Sequence, residues 1–77
     1  MYLRIPDHIR YVDVFGVLYY IRWEDLLPGH SFFIKTTAAA RVVKRSIRPA
    51  ETFLRVTLRA HPRCEFGYYG VRVWRVA

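Results

Sequence analysis

Three small groups of residues in this chain have types and spacings that could do chemistry. His61 and Cys64 stand three apart, a spacing that can supply half a zinc site. His8 and His30 would have to complete it from distant loops, so a loop histidine and a semi-buried thiol are the simpler reading and no metal is expected. Glu24-Asp25 is an adjacent acidic pair, but consecutive residues on a helix do not face each other. The pair therefore suits a helix start or a turn better than acid/base catalysis. Gly29-His30-Ser31 lacks the glycine spacing and the lysine of a phosphate loop, and Asp7-His8 after Pro6 reads as a turn. With no nucleophile beside a base, the expectation is no catalytic residue, no cofactor and no enzyme.

Binding chemistry is better represented. Eleven arginines and two lysines face six acids, for a net charge of +7. Such an excess costs self-repulsion on folding, and its common use is to attract nucleic acid, an anionic membrane or an acidic protein. Arginine predominates, and its planar fork grips phosphate and carboxylate bidentately. The clearest cluster is Arg41, Lys44, Arg45 and Arg48, which on a helix fall within a sector of about 100°. Arg55 and Arg59 project from one side of an alternating segment, and Arg63, Arg72 and Arg75 lie in or beside the hairpin that follows. On one shared surface these residues would form a phosphate-sized footprint. Tyr68 and Tyr69 are candidate aromatic contacts, since one of two adjacent strand residues must point away from the other. Core packing is the simpler expectation for most of the tyrosines, because a domain this small needs its aromatics inside. Trp74 is expected to be largely buried with its indole N–H hydrogen-bonded.

The elements that position these residues can be read from pattern. Residues 1–23 are rich in β-branched and aromatic side chains, with a short strand near Leu3 to Ile5 and extended segments over Ile9 to Phe15 and Val17 to Arg22. Trp23 to Leu27 can form one helical turn, and Pro28-Gly29 breaks the chain before a strand at Ser31 to Thr36 with Phe32 and Ile34 on one face. Thr36 or Thr37 can cap a helix that opens with three alanines and stops at Pro49, its apolar side formed by Ala39, Val42, Val43, Ser46 and Ile47. Thr52 to Ala60 alternates as a half-buried strand, Gly70 to Val76 is the last strand, and His61 to Tyr69 between them suits a hairpin with a long tip. The expected fold is α+β: one small antiparallel sheet of four to five strands in the order β-β-β-α-β-β, with one amphipathic helix packed on it. The whole, 1–77, is expected to be a single domain with a strand-rich start, 1–23, and a β-α-β-β unit, 30–77.

Composition supports folding: 53% of the residues are hydrophobic, and five Phe, six Tyr and two Trp can fill a dense core. Cys64 is the only cysteine, so no disulfide can form within one chain. The run Val14 to Ile21 is far shorter than the roughly 20 residues of a spanning helix, and Met1 to Pro6 lacks an extended apolar targeting region. Cytoplasmic residence is expected, with no membrane partner.

Leu27-Pro28-Gly29-His30-Ser31-Phe32-Phe33-Ile34 and Gly70-Val71-Arg72-Val73-Trp74-Arg75-Val76 together resemble a group of small uncharacterised phage proteins. That group joins a Gly-x-Ser-Phe-Phe strand to a basic helix and ends in Gly-Val-Arg-Val-Trp-Arg-Val. The resemblance covers about Trp23 to Val76. Its members often carry proline after the Ser-Phe-Phe strand, where this chain has Lys35, and they lack the strand-rich start. It implies a phage gene, active in the host bacterial cytoplasm, and no activity.

The function expected from these observations is non-catalytic binding of nucleic acid, with DNA favoured, through a basic helix and hairpin. The alternative is a phage inhibitor docking on an acidic surface of a host machine such as a CRISPR effector or RNA polymerase. A homo-oligomer joined through strand edges is a third reading. Whether the helix stripe shares a face with Arg55, Arg59 and Arg72 discriminates among them.

Overall fold

The structure, a computed structural model, describes residues 4–77. Leu3 of the expected first strand lies outside the described residues; Arg4 and Ile5 are not in a strand, and Ile5 is instead buried in the core. Pro6, with its fixed φ, opens a single turn of helix α1 (Asp7–Arg10), its carbonyl accepting from the Ile9 and Arg10 N–H groups. The Pro6-Asp7-His8 turn is thus a helix start, and the strand begins two residues later than Ile9 because Ile9 is spent filling the core.

Strands β1 (Tyr11–Val14) and β2 (Val17–Tyr20) form an antiparallel hairpin. Phe15 and Gly16 make its two-residue turn with φ of 54° and 80°, the pair of positive values that matches strand twist. Asp13 steadies it by accepting from the Gly16 N–H at 2.8 Å. Alternation sends Val12 and Val14 inward, while Tyr11 meets Tyr20 edge to face across the ladder. The helical turn expected after β2 is a short 3-10 turn, Trp23–Asp25. Trp23 is 4% exposed, donates its indole N–H to the Ile9 carbonyl and packs edge-on against Phe32. Arg10 and Glu24 close this region with a bidentate pair at 2.8 and 2.6 Å.

β3 (Ser31–Lys35), β4 (Leu58–Glu65) and β5 (Tyr68–Arg75) form a second antiparallel sheet in the order β3-β5-β4. The α+β class holds, but the strands divide into a two-stranded and a three-stranded sheet instead of one, and a short helix precedes them. The break is physical: the turn around Trp23 carries β2 away from register with β3. A side-chain bond from the Tyr19 hydroxyl to the Lys35 carbonyl, 2.5 Å, ties β2 to the end of β3.

Helix α2 (Ala40–Leu54) runs five residues beyond its expected stop, through Pro49. A proline inside a helix removes one N–H bond and costs about 3 kcal/mol. Here tertiary contacts outweigh that cost. Ala50, one residue on, is 2% exposed in the core. The Glu51 carboxylate accepts from Lys44 Nζ at 2.8 Å and from the Leu58 N–H at 2.9 Å, while Lys44 Nζ also donates to the Leu58 carbonyl. The cap is Ala39, not Thr36 or Thr37; Thr36 Oγ1 instead accepts from the Ala38 N–H in the approach loop. Val43, Ile47 and Ala50 are buried against the hairpin and the sheet, and the first two, at 0% exposure, contribute about 1.5–3 kcal/mol each. Val42 is only half-buried and Ala39 is exposed.

The helix ends at Arg55, in the left-handed conformation at φ 55°, so Thr52 to Leu54 are helical and the expected strand starts only at Leu58. β4 then continues through Pro62. That is tolerated because β4 is an edge strand, and Thr57, which exchanges bonds with the last residues, sets the phase of the ladder. Pro62 falls where the N–H would point away from β5. Leu58 has the same phase, and the Lys44–Glu51 pair covers its outward N–H and carbonyl. The hairpin between β4 and β5 has no long tip; Phe66 and Gly67, at φ 55° and 79°, make a second two-residue turn.

Candidate nucleic-acid interface

Antiparallel register and the two-residue period of a strand decide what each side of the three-stranded sheet carries. Leu58 on β4, Val71 and Val73 on β5 and Ile34 on β3 are all within 1% of full burial, on the side covered by α2 and the β1–β2 hairpin. The opposite side bears Arg59, His61, Arg63 and Glu65 from β4, Tyr68, Gly70, Arg72 and Trp74 from β5, and Ser31, Phe33 and Lys35 from β3. None of these side chains belongs to the hydrophobic core, and among the described residues no element packs over them. The register lines them up in rows: Ser31, Trp74 and Arg59; Phe33, Arg72 and His61; Lys35, Gly70 and Arg63.

This outer face combines cations with rings. Arg63 lies 5.7 Å from the Trp74 ring centre, Arg72 5.7 Å from that of Phe33, and Lys35 Nζ 3.7 Å from that of Tyr68. His61 meets Trp74 edge to face at 5.4 Å. Gly70 is required beneath Phe33: a Cβ there would strike both the Phe33 ring and the Ile34 carbonyl oxygen. The single acid, Glu65, takes two bonds from Arg72, at 2.6 and 2.5 Å, and lies 3.4 Å from Arg63. The hydrogen bonds from Arg72, and then its charge, hold the Glu65 carboxyl below its ordinary value and raise that of the Arg72 guanidinium. Arg72 also donates to Ser31 Oγ at 2.9 Å, so it is a fixed member of the surface, whereas Arg59 is exposed and has no ion-pair partner among the described residues.

The expected shared surface is not formed. Arg41, Arg45 and Arg48 are exposed on the side of α2 opposite Val43, Ile47 and Ala50, so they point away from the sheet and lie across the molecule from Arg59, Arg63 and Arg72. Lys44, on the flank of that stripe, is occupied by Glu51 and the Leu58 carbonyl. Arg55 sits at the helix end and not on a strand beside Arg59. Arg75 is half-buried and pinned by bonds to the Leu26 carbonyl at 2.9 Å and the Ala77 oxygen at 3.3 Å.

The tyrosines also depart from expectation. Tyr11, Tyr20, Tyr68 and Tyr69 are 45–77% exposed: Tyr11 and Tyr68 alternate with inward-facing residues, while Tyr69 shares the phase of Val71 but lies towards the turn end of β5. Trp74 is half-buried and not among the exposed rings, but the hydrogen bond expected of its indole N–H has no partner among the described residues. His61 and Cys64 project to opposite faces of β4, as residues three apart on a strand must, so they cannot share a metal ion. Pattern reading missed His61, Trp74, Phe33 and Lys35 as members of one surface. The signal that could have found His61 and Trp74 is the Phe66-Gly67 turn, which pairs Glu65 with Tyr68 and so fixes every β4–β5 pair behind it; no local signal brings Phe33 and Lys35 of β3 beside them.

Among the described residues no helix is long and apolar enough to cross a membrane. The chain matches no protein-family model, no curated protein and no solved structure.

Proposed function

We propose that the chain is a non-catalytic nucleic-acid-binding protein whose contact surface is the outer face of the three-stranded sheet, with the helix stripe playing no direct part. The observation that carries this reading is the coincidence, on the uncovered face of the three-stranded sheet, of Lys35, Arg59, Arg63 and Arg72 with His61, Phe33, Tyr68 and Trp74, against a single carboxylate. Cations that track phosphates and rings that accept bases are what nucleic-acid recognition asks of a surface. The absence of a base-reading array of amides on that face argues for weak sequence preference. On this reading the protein acts in an infected cell's cytoplasm, as the phage-type resemblance would imply.

Fluorescence anisotropy with labelled DNA and RNA oligomers at about 50 mM salt tests it. Three to four phosphate contacts predict a slope of log K against log salt of about −2 to −3. Absence of binding to any of the oligomers at that salt concentration would sink the reading.

One observation favours a second reading, a protein inhibitor docking on an acidic host surface. The two hairpin turns and the strand residues beside them leave Phe15, Leu18, Phe66 and Tyr69 62–84% exposed, apolar surface that phosphates do not need. Capture of a defined partner that survives nuclease treatment, and is lost when Phe15 and Phe66 are both changed to Ser, would support that reading over the first.

A further inference from the structure

Resting on the sheet-face reading above, we infer that the ligand is a single strand and that one of its unpaired bases seats in a depression against Trp74. The depression, about 390 Å³, is lined by Gly29, Arg59, His61, Trp74, Arg75 and Val76. Its size is within the range of ordinary small-molecule sites. Its character is that of a flat ring's binding place. The half-buried Trp74 ring and the ring of the exposed His61 stand at 72° to each other and give two walls of a corner. Gly29 contributes a boundary without a side chain, and Val76, 48% exposed, adds an apolar contact.

The rim is cationic. Arg59 pairs in register with Trp74 and is exposed and unpaired among the described residues, so its guanidinium is available to the phosphate attached to a base on Trp74. Arg63 reaches back from two rows away to 5.7 Å from the same ring, and its partner Glu65 is shared with Arg72. Arg75, held by two carbonyl oxygens, is a rigid wall and not a mobile charge. The Trp74 indole N–H, which has no partner among the described residues, points outward in the ring plane and is a donor for a phosphate or a neighbouring base beside the stacked one. A base locked in a duplex presents only its edges and cannot place its face on Trp74, which selects an unpaired nucleotide over a paired one.

The test compares three probes on the full chain: oligothymidylate of ten nucleotides, an abasic deoxyribose-phosphate oligomer of the same length, and a ten-base-pair duplex. The readout is tryptophan emission, in which Trp23, buried behind Ile9, supplies a constant background and Trp74 supplies the change. Oligothymidylate is expected to quench and to bind roughly 10-fold tighter than the abasic strand, the effect of stacking one base. With affinity read by anisotropy of the same probes carrying a fluorescent label, because these variants lack the reporting tryptophan, Trp74→Leu should bring the two to equal affinity and Trp74→Phe should restore most of the difference; His61→Ala, which leaves the tryptophan in place, should reduce it. Equal binding of oligothymidylate and the abasic strand by the unaltered protein, or tighter binding of the duplex, overturns the stacked base while leaving phosphate binding by the sheet intact. Failure of all three probes to bind overturns both.

Discussion

The two basic surfaces of this protein are built from similar residues and are put to different ends. On α2, Arg41, Arg45 and Arg48 project into solvent as separate charges, and their neighbour Lys44 is drawn down to clamp Glu51 and the edge of β4. On the sheet, each of Lys35, Arg63 and Arg72 lies against an aromatic ring, and a shared carboxylate orients two of them. An exposed charge alone contributes little to specific recognition and is screened by salt. Cations interleaved with rings can meet both parts of a nucleotide. On the proposed function, the density of arginine along the sequence does not locate the contact surface; what lies beside each arginine does.

This contrast can be broken most directly by removing charge from each side in turn. Arg59→Gln with Arg63→Gln is expected to weaken oligonucleotide binding roughly 30-fold at low salt and to reduce the salt slope by about 1.5. Arg41→Gln, Arg45→Gln and Arg48→Gln together should change affinity less than about 2-fold, beyond the loss of long-range attraction. Equal losses from both sets would mean that the surfaces act together and that the contrast is wrong.

Stability should divide in the opposite sense. Glu51→Gln leaves Lys44 without its counter-charge and weakens the bond to the Leu58 N–H, at a cost of about 1.5 kcal/mol by chemical denaturation. Nucleotide affinity of the folded fraction should be unchanged. Arg55→Gly, relieving a left-handed φ of 55°, should stabilise by about 1 kcal/mol without affecting binding. If Arg55→Gly lowered affinity severalfold, the helix side would have a share in the site.

The smallest expected effects concern Glu65. Glu65→Gln releases Arg63 and Arg72 and should raise affinity about 3-fold, provided Ser31 and Phe33 still hold Arg72 in place. Acid titration gives a second view of the same group. Because Arg72 holds the folded-state value of Glu65 below its ordinary one, and Arg10 does so for Glu24, their stabilisation is complete above about pH 4.5 and is lost as pH falls through the lower folded values. The thermal midpoint should therefore be level at higher pH and decline below about pH 4.5, with a shallower decline in Glu65→Gln.

Much of this architecture could be read from pattern, and the exceptions share a cause. The amphipathic run from Arg41 to Arg48, the alternation of Ser31 to Lys35 and the valines of β5 are local signals, and each produced the expected element. Pro49 and Pro62 are local signals too, but each was overruled by something distant. Glu51 and Ala50 hold the helix past Pro49 through contacts with β4 and the core, and edge position makes Pro62 harmless. The site was partly legible: alternation placed Arg59 and Arg72 on strand faces, and the helix stripe was correctly seen as one sector. What a linear reading could not supply is the order β3-β5-β4, which sets the sheet's uncovered face opposite the helix and brings Phe33 beside Arg72 across 39 positions of chain, 72 minus 33. Trp74 illustrates the same limit, since its inward or outward fate depends on which face the helix covers.

The close approach at Gly70 carries a consequence for kinship. Two obstacles, the Phe33 ring and the Ile34 carbonyl oxygen, occupy the space of any side chain at that position, and only the first could be removed by substitution. A descendant that replaced Phe33, Trp74 or every arginine of the outer face would still need glycine at this point to keep β3 against β5. Among divergent descendants, this residue is therefore expected to outlast the binding surface itself and to serve as the fixed mark from which their strands can be aligned.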